Sequence, residues 1–137
     1  MATAKGLCYA LKVPLMLFNS LEVMAFSAIE NVAGAGEPSF FCPMIDARRM
    51  EVFTAVYDKN LYEVKSPIAL ILNENSFDEW IANATFYYFG SGAEKFKKLH
   101  DKHSRNLNYI LSDISNGNFP FNSFYSLRLS NGSIIDN

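Results

Sequence analysis

The chain has little of what usually carries chemistry. Among its 137 residues there are two cysteines, two histidines and one tryptophan. Two cysteines exclude a disulfide framework. Cys8 lies in a helical pattern and Cys42 in a strand pattern, so both read as buried reduced thiols, in keeping with a cytoplasmic chain. The histidines, His100 and His103, are spaced i, i+3 without the glutamate or the longer step of an H-E-x-x-H pattern, so a solvated, charged helix end is expected there and no metal. An excess of one charge is missing too. Twelve Lys and Arg against fourteen Asp and Glu give a net charge of −2, which excludes a broad electrostatic footprint for nucleic acid and leaves only a local contact open. No run reaches the ~20 apolar residues of a membrane span. The apolar N-terminal stretch is interrupted by Lys12 and Pro14 and has no small-residue cleavage site, unlike a signal peptide.

What is present is apolar and aromatic. Half of the residues are hydrophobic and twelve are Phe, the composition of a globular domain large enough for its own core. Ala4, Leu7, Cys8 and Leu11 recur at helical spacing, with no capping residue before them, as in a helix whose lead-in is missing. A short strand is expected over 13–18. A second helix follows, with Asn19 or Ser20 as cap and Leu21, Met24, Ala25, Ala28 and Val32 on one face. "AGAGEP" (33–38) is the clearest break and marks a division between 1–35 and 36–137. Strands are then expected at 39–45, 51–57 and 61–65, an extended stretch at 68–73, and a short helix capped by Ser76 with Phe77, Trp80 and Ile81 on one face. A strand over 85–90, a helix after its glycine turn, a strand over 107–112 and an aromatic helix over 119–132 complete an α/β layer structure with a mixed sheet.

Two stretches invite a functional reading. "FFCPMIDARRMEVFTAVYD" (40–58) places Asp46, Ala47, Arg48 and Arg49 at the tip of an otherwise apolar hairpin, with Glu51 just beyond. The tip is a clamp, a contact with a partner or nucleic acid, or a solvated turn. The clamp has Asp46 pairing with Arg48 or Arg49 across the hairpin, because an unpaired buried charge is costly. The second stretch is Gly90-Ser91-Gly92-Ala93, where a strand runs through glycines into a helix. Free amides in such a turn can face a phosphate or another anion, and the same glycines can equally serve a tight turn. No Ser/His/Asp or Cys/His arrangement can be assembled.

The order of "ATAKGLCYAL", "VPLMLFNSLEVMA", "PMIDARRMEVFTAVYD" and "FGSGAEKF" resembles the TsaB (YeaZ) family, the actin-like, glycoprotease-like proteins of tRNA threonylcarbamoyladenosine (t6A) synthesis. The I-D-A-R-R-x-E-V stretch is its most specific element, and the likeness covers the first hundred residues. The resemblance implies an actin-like (RNase H-like) ATPase-type lobe, residues 36–137, with 1–35 as the remnant of an N-terminal lobe whose G-P-G-S-[FY]-T-G-L-R stretch is absent. It implies a non-catalytic, cytoplasmic subunit that pairs with TsaD-type and TsaE-type proteins and meets tRNA only indirectly. No cofactor is required by the chain itself, and the glycoprotease label finds no residue support. The alternative is a nucleotide-binding actin-like ATPase domain that holds ATP weakly through Gly90 to Ala93. With the first lobe missing, the apolar face of helix 1 and an unpaired strand over 13–18 are expected to be exposed together, so that 1–35 either packs against a second copy in a homodimer or swapped arrangement or is mobile.

Overall fold

The computed structural model describes residues 2–12, 15–16, 19–32, 36, 38–100, 107–110, 126 and 134–135. They form two compact units, one from 1–19 with 118–137 and the other from 20–117. In the first, helix α1 (Ala2–Leu11) is followed by strand β1 (Leu15–Met16), which pairs antiparallel with β7 (Ile134–Ile135). The early strand is therefore not left unpaired, as the sequence had suggested. Its partner comes from the far end of the chain, a pairing that local pattern cannot reveal. Leu7, Tyr9 and Leu11 of α1 are exposed. The side chains of Ala4 and Cys8 lie outside the description, as do His103 and all of the expected aromatic helix over 119–132 except Ser126, which is helical.

The second unit is a five-stranded mixed sheet in the order β4-β3-β2-β5-β6, where β2 is Ser39–Asp46, β3 Glu51–Asp58, β4 Glu63–Ile71, β5 Thr85–Phe89 and β6 Leu107–Ile110. β2, β3 and β4 form an antiparallel meander, while β5 lies parallel to β2 and β6 parallel to β5. The antiparallel pairs are joined by short turns. The parallel pair β5–β6 needs a crossover, which α4 (Ala93–His100) supplies. Helix α2 (Ser20–Asn31) packs on β2 and β3, with Leu21, Ala25 and Ala28 buried as their spacing predicts, so the expected break at 33–38 falls inside this unit.

An apolar cluster joins Met44, Val52, Val56, Phe86 and Tyr88 of the sheet to Ala93 and Phe96 of α4 and to Phe77 and Ile81 around α3 (Asp78–Ile81). Phe96 is its hub. The ring lies 4.9 Å from Tyr88 and 5.6 Å from Phe77, both edge to face, and 4.1 Å from His100. Such geometry suits ring quadrupoles and adds to the area buried.

Two prolines lie within strands. Pro43 is fully buried in central β2, where proline is rarely found because it has no N–H for the ladder. There the Thr54 hydroxyl donates to the Pro43 carbonyl at 2.7 Å. The same Thr54 Oγ1 lies 3.2 Å from the Cys42 thiol. Pro67 falls in β4, which runs unbroken from Glu63 to Ile71 where two separate segments had been expected. β4 lies at the edge of the sheet, so the missing N–H costs little, and register shifts opposite Thr54–Tyr57 absorb the irregularity. Ser76 does not cap α3. Its hydroxyl accepts the Asn73 N–H at 2.9 Å, and the residue before the helix is Phe77, at φ 66° with no side-chain cap.

Two measurements test this core. Phe96→Ala should cost about 3–5 kcal/mol in urea denaturation, since a fully buried ring at a crowded contact leaves a cavity. Burial pushes the Cys42 thiol up from 9.0 to about 12, against the smaller lowering by the Thr54 hydrogen bond and the Lys65 charge. Between those values the unfolded chain gives up the proton that the folded chain keeps, so this group's contribution is intact below pH 9.0 and is lost as pH climbs toward about 12. The thermal midpoint of Cys42→Ala should therefore fall less than that of the unaltered chain over that window.

Candidate functional site

The two stretches that invited a functional reading meet at one end of the sheet. β2 ends at Asp46 and β3 starts at Glu51, so residues 47–50 form the tip. Ala47 N–H donates to Glu51 O at 3.1 Å and Glu51 N–H to Arg48 O at 2.8 Å, closing the turn with Arg49 at φ 52°. From the other side β5 delivers Gly90, Ser91 and Gly92 against the end of β2. Gly92 N–H donates to Met44 O at 3.0 Å, and Asp46 N–H donates to Ser91 Oγ at 2.9 Å. The hairpin tip and the glycine turn are one structure.

The glycines are explained by closeness. A Cβ at Gly90, whose φ is 105°, would stand 2.3 Å from Met44 O and 2.7 Å from Met24 Cε. One at Gly92 would stand 2.7 Å from Val52 Cγ1. Both positions allow the turn to lie directly on β2. The amides of Gly92 and Ala93, one reading of which was an anion site and the other a tight turn, are used internally, by Met44 O and by Gly90 O at 3.1 Å. Ser91 gives its hydroxyl oxygen to the Asp46 amide.

The clamp exists, with a different cation. Lys95 Nζ lies 2.5 Å from Asp46 Oδ1 and also donates to Ala47 O at 2.9 Å and Glu51 O at 3.2 Å. Its side chain is 23% exposed and that of Asp46 52%, so the two carbonyl bonds hold the lysine more firmly than the solvent-screened pair does. Arg48 and Arg49 do not reach Asp46, because the turn between them points both outward, where they are exposed. Sequence reading missed Lys95, though a signal was present. A lysine in the first turn of a helix opposes the helix dipole and requires another partner.

His100 closes the other end of α4. Its Nδ1 lies 3.2 Å from Phe96 O and its Nε2 2.9 Å from Glu74 O, so it ties the helix end to the turn before α3. Among the described residues no group of three or more His, Cys, Asp or Glu could hold a metal, and no helix is long and apolar enough to cross a membrane.

A mixed five-stranded sheet flanked by helices, with a glycine turn set against the end of its central hairpin, is an α/β lobe of the actin-like kind. The model of the family described as "TsaD: tRNA N6-adenosine threonylcarbamoyltransferase" matches residues 1–123, and the chain belongs to that family. Among solved structures it is similar to YeaZ from Pseudomonas aeruginosa, at TM-score 0.66 and 20% identity over 98% of this chain and 62% of that one. A second structure, described as an uncharacterized protein with similarity to peptidase YeaZ from Pseudomonas aeruginosa, gives TM-score 0.66 and 20% identity over 98% of this chain and 60% of that one. The chain thus spans about three fifths of the length of these structures. No curated protein matches it.

If Lys95 holds the tip, Lys95→Met should lower stability by about 1.5–3 kcal/mol, the range for hydrogen bonds involving a charged group. Arg48→Ala should change it by less than ~0.5 kcal/mol, as exposed positions do. Equal losses in urea denaturation would contradict this division of roles. Gly90→Ala should be worse than either, because the contact it creates is with backbone oxygen.

Proposed function

We propose that the chain is a non-catalytic subunit of the machinery that forms N6-threonylcarbamoyladenosine in tRNA, acting as a scaffold for a TsaD-type subunit. The family match across residues 1–123 carries this reading, and the likeness of fold to YeaZ supports it. The use of polar groups at the candidate site agrees with it. Lys95, Asp46, Ser91 and the Gly92 and Ala93 amides serve one another as structural bonds, leaving a rigid surface for assembly. The nucleotide-binding alternative has less support, since it needs those amides free. In this reading the chain needs no cofactor of its own, and a TsaE-type ATPase is a further partner. Leu7 and Leu11, one helical turn apart and exposed on α1, are the surface through which the chain would form a homodimer.

Co-expression with a TsaD-type protein tests the proposal. The two should co-purify, and the chain should restore t6A in cells depleted of their own YeaZ-type protein. Failure of both would sink the scaffold reading. A thermal shift with millimolar ATP would revive the alternative. Sedimentation of Leu7→Glu should show a monomer if α1 is the dimer surface.

A further inference from the structure

The clamp leaves a remainder at the tip. Lys95 is taken up by Asp46 and two carbonyls, yet Arg48 and Arg49 are exposed, and among the described residues neither guanidinium has a hydrogen bond or an ion pair. Three cations thus stand against two carboxylates, Asp46 and Glu51, on a chain whose net charge is −2. Asp46 is neutralised by Lys95 and Glu51 is half-buried, so the charge facing outward is positive.

The backbone also gives the pair an unusual setting. Arg49 occupies a positive φ of 52°, in a turn position where glycine or asparagine would be relaxed. Three tethers from three elements fix the tip: Lys95 from α4, Ser91 from the glycine turn, and the Leu72 N–H after β4, which donates to Met50 O at 2.8 Å. Two adjacent guanidiniums are therefore held on a mount that need not be ordered on binding. Their planar forks match phosphate oxygens.

Resting on the reading of this chain as part of a tRNA-modifying assembly, we propose that Arg48 and Arg49 contact the phosphate backbone of tRNA directly. The chain would then meet the RNA itself, at one point. On a chain whose net charge is −2, a locally basic tip can both attract and orient a polyanion. An acidic protein is the weaker fit. Next to the arginines Met50, Phe53 and Ile71 (opposite Glu51 on β4) offer exposed apolar area, three side chains against the ~20–30 residues a side of a stable protein interface.

The test is fluorescence anisotropy of a labelled, unmodified tRNA transcript with the full chain between roughly 50 and 200 mM salt. The double variant Arg48→Ala, Arg49→Ala should bind about tenfold more weakly and should flatten the log–log salt slope by about one to two, one for each phosphate that is no longer neutralised. Its thermal midpoint should be unchanged. The pair Lys97→Ala, Lys98→Ala removes the same charge from α4 and should stay within about twofold of the original. Replacing both arginines by lysine should give intermediate affinity, keeping the charge but not the fork. The proposal is overturned if the unaltered chain does not bind the transcript, or if the arginine and lysine pairs behave alike. It is also overturned if tRNA binding survives in the arginine variant while association with the TsaD-type subunit disappears, which makes the tip a protein contact. Co-purification with the TsaD-type subunit without tRNA binding overturns the RNA contact and leaves the scaffold standing. Tip-dependent tRNA binding without co-purification upholds the contact and removes the scaffold.

Discussion

One ammonium group joins three parts of this molecule. Lys95 projects from the first turn of α4 onto the Ala47 and Glu51 carbonyls and the Asp46 carboxylate, so the helix, the end of β2 and the start of β3 share a single point of attachment. The carbonyls on either side of a hairpin tip have few backbone donors to satisfy them, and a primary amine with three protons suits that need. The attachment requires α4 to start close against β2. That closeness in turn requires Gly90 and Gly92, where a Cβ would strike Met44 O or Val52. The DARR tip, the glycine turn and the helix after it are therefore mutually dependent, although some 45 residues of sequence separate them.

The other end of α4 is held by different physics. Phe96 is enclosed by Phe77, Phe86 and Tyr88, and His100 lies against its ring while both imidazole nitrogens face carbonyl oxygens. Polar bonds at the N-terminus and aromatic packing near the C-terminus fix the helix along its length. With α4 fixed, β6 has a surface to lie on beside β5, and Tyr109 stacks on Tyr88 at 5.3 Å. Lys97 at 5.1 Å from the Tyr109 ring adds a weak cation–π contact at the rim.

Much of this was legible in the sequence, for reasons that can be assigned. β2, β3 and β5 are short apolar runs between turn signals, and the spacing of Leu21, Ala25 and Ala28 marks α2 without knowledge of its neighbours. These are local patterns. What could not be read depends on distant partners. Ile134 and Ile135 pair with β1 from the opposite end of the chain. β4 continues through Pro67 only because nothing lies beyond it among the described strands. At the site, a clamp was expected between Asp46 and Arg48 or Arg49, and the structure pairs Asp46 with Lys95 instead. The choice of Lys95 depends on how the β5–α4 turn meets β2, a tertiary fact. Ser76 looked like a helix cap for the same kind of reason, and the loop used its hydroxyl first.

Pro67 has one more consequence. The free side of β4 offers backbone groups that an extended segment of another chain could add to, extending the sheet from molecule to molecule. Partway along that side the proline supplies no N–H, the bulges twist the strand out of regular register, and Glu63 and Lys65 place charge on a would-be neighbour. A continuous ladder cannot form there. The irregularity that makes this strand hard to recognise also guards the sheet against fibril-like growth, which matters in a domain rich in phenylalanine.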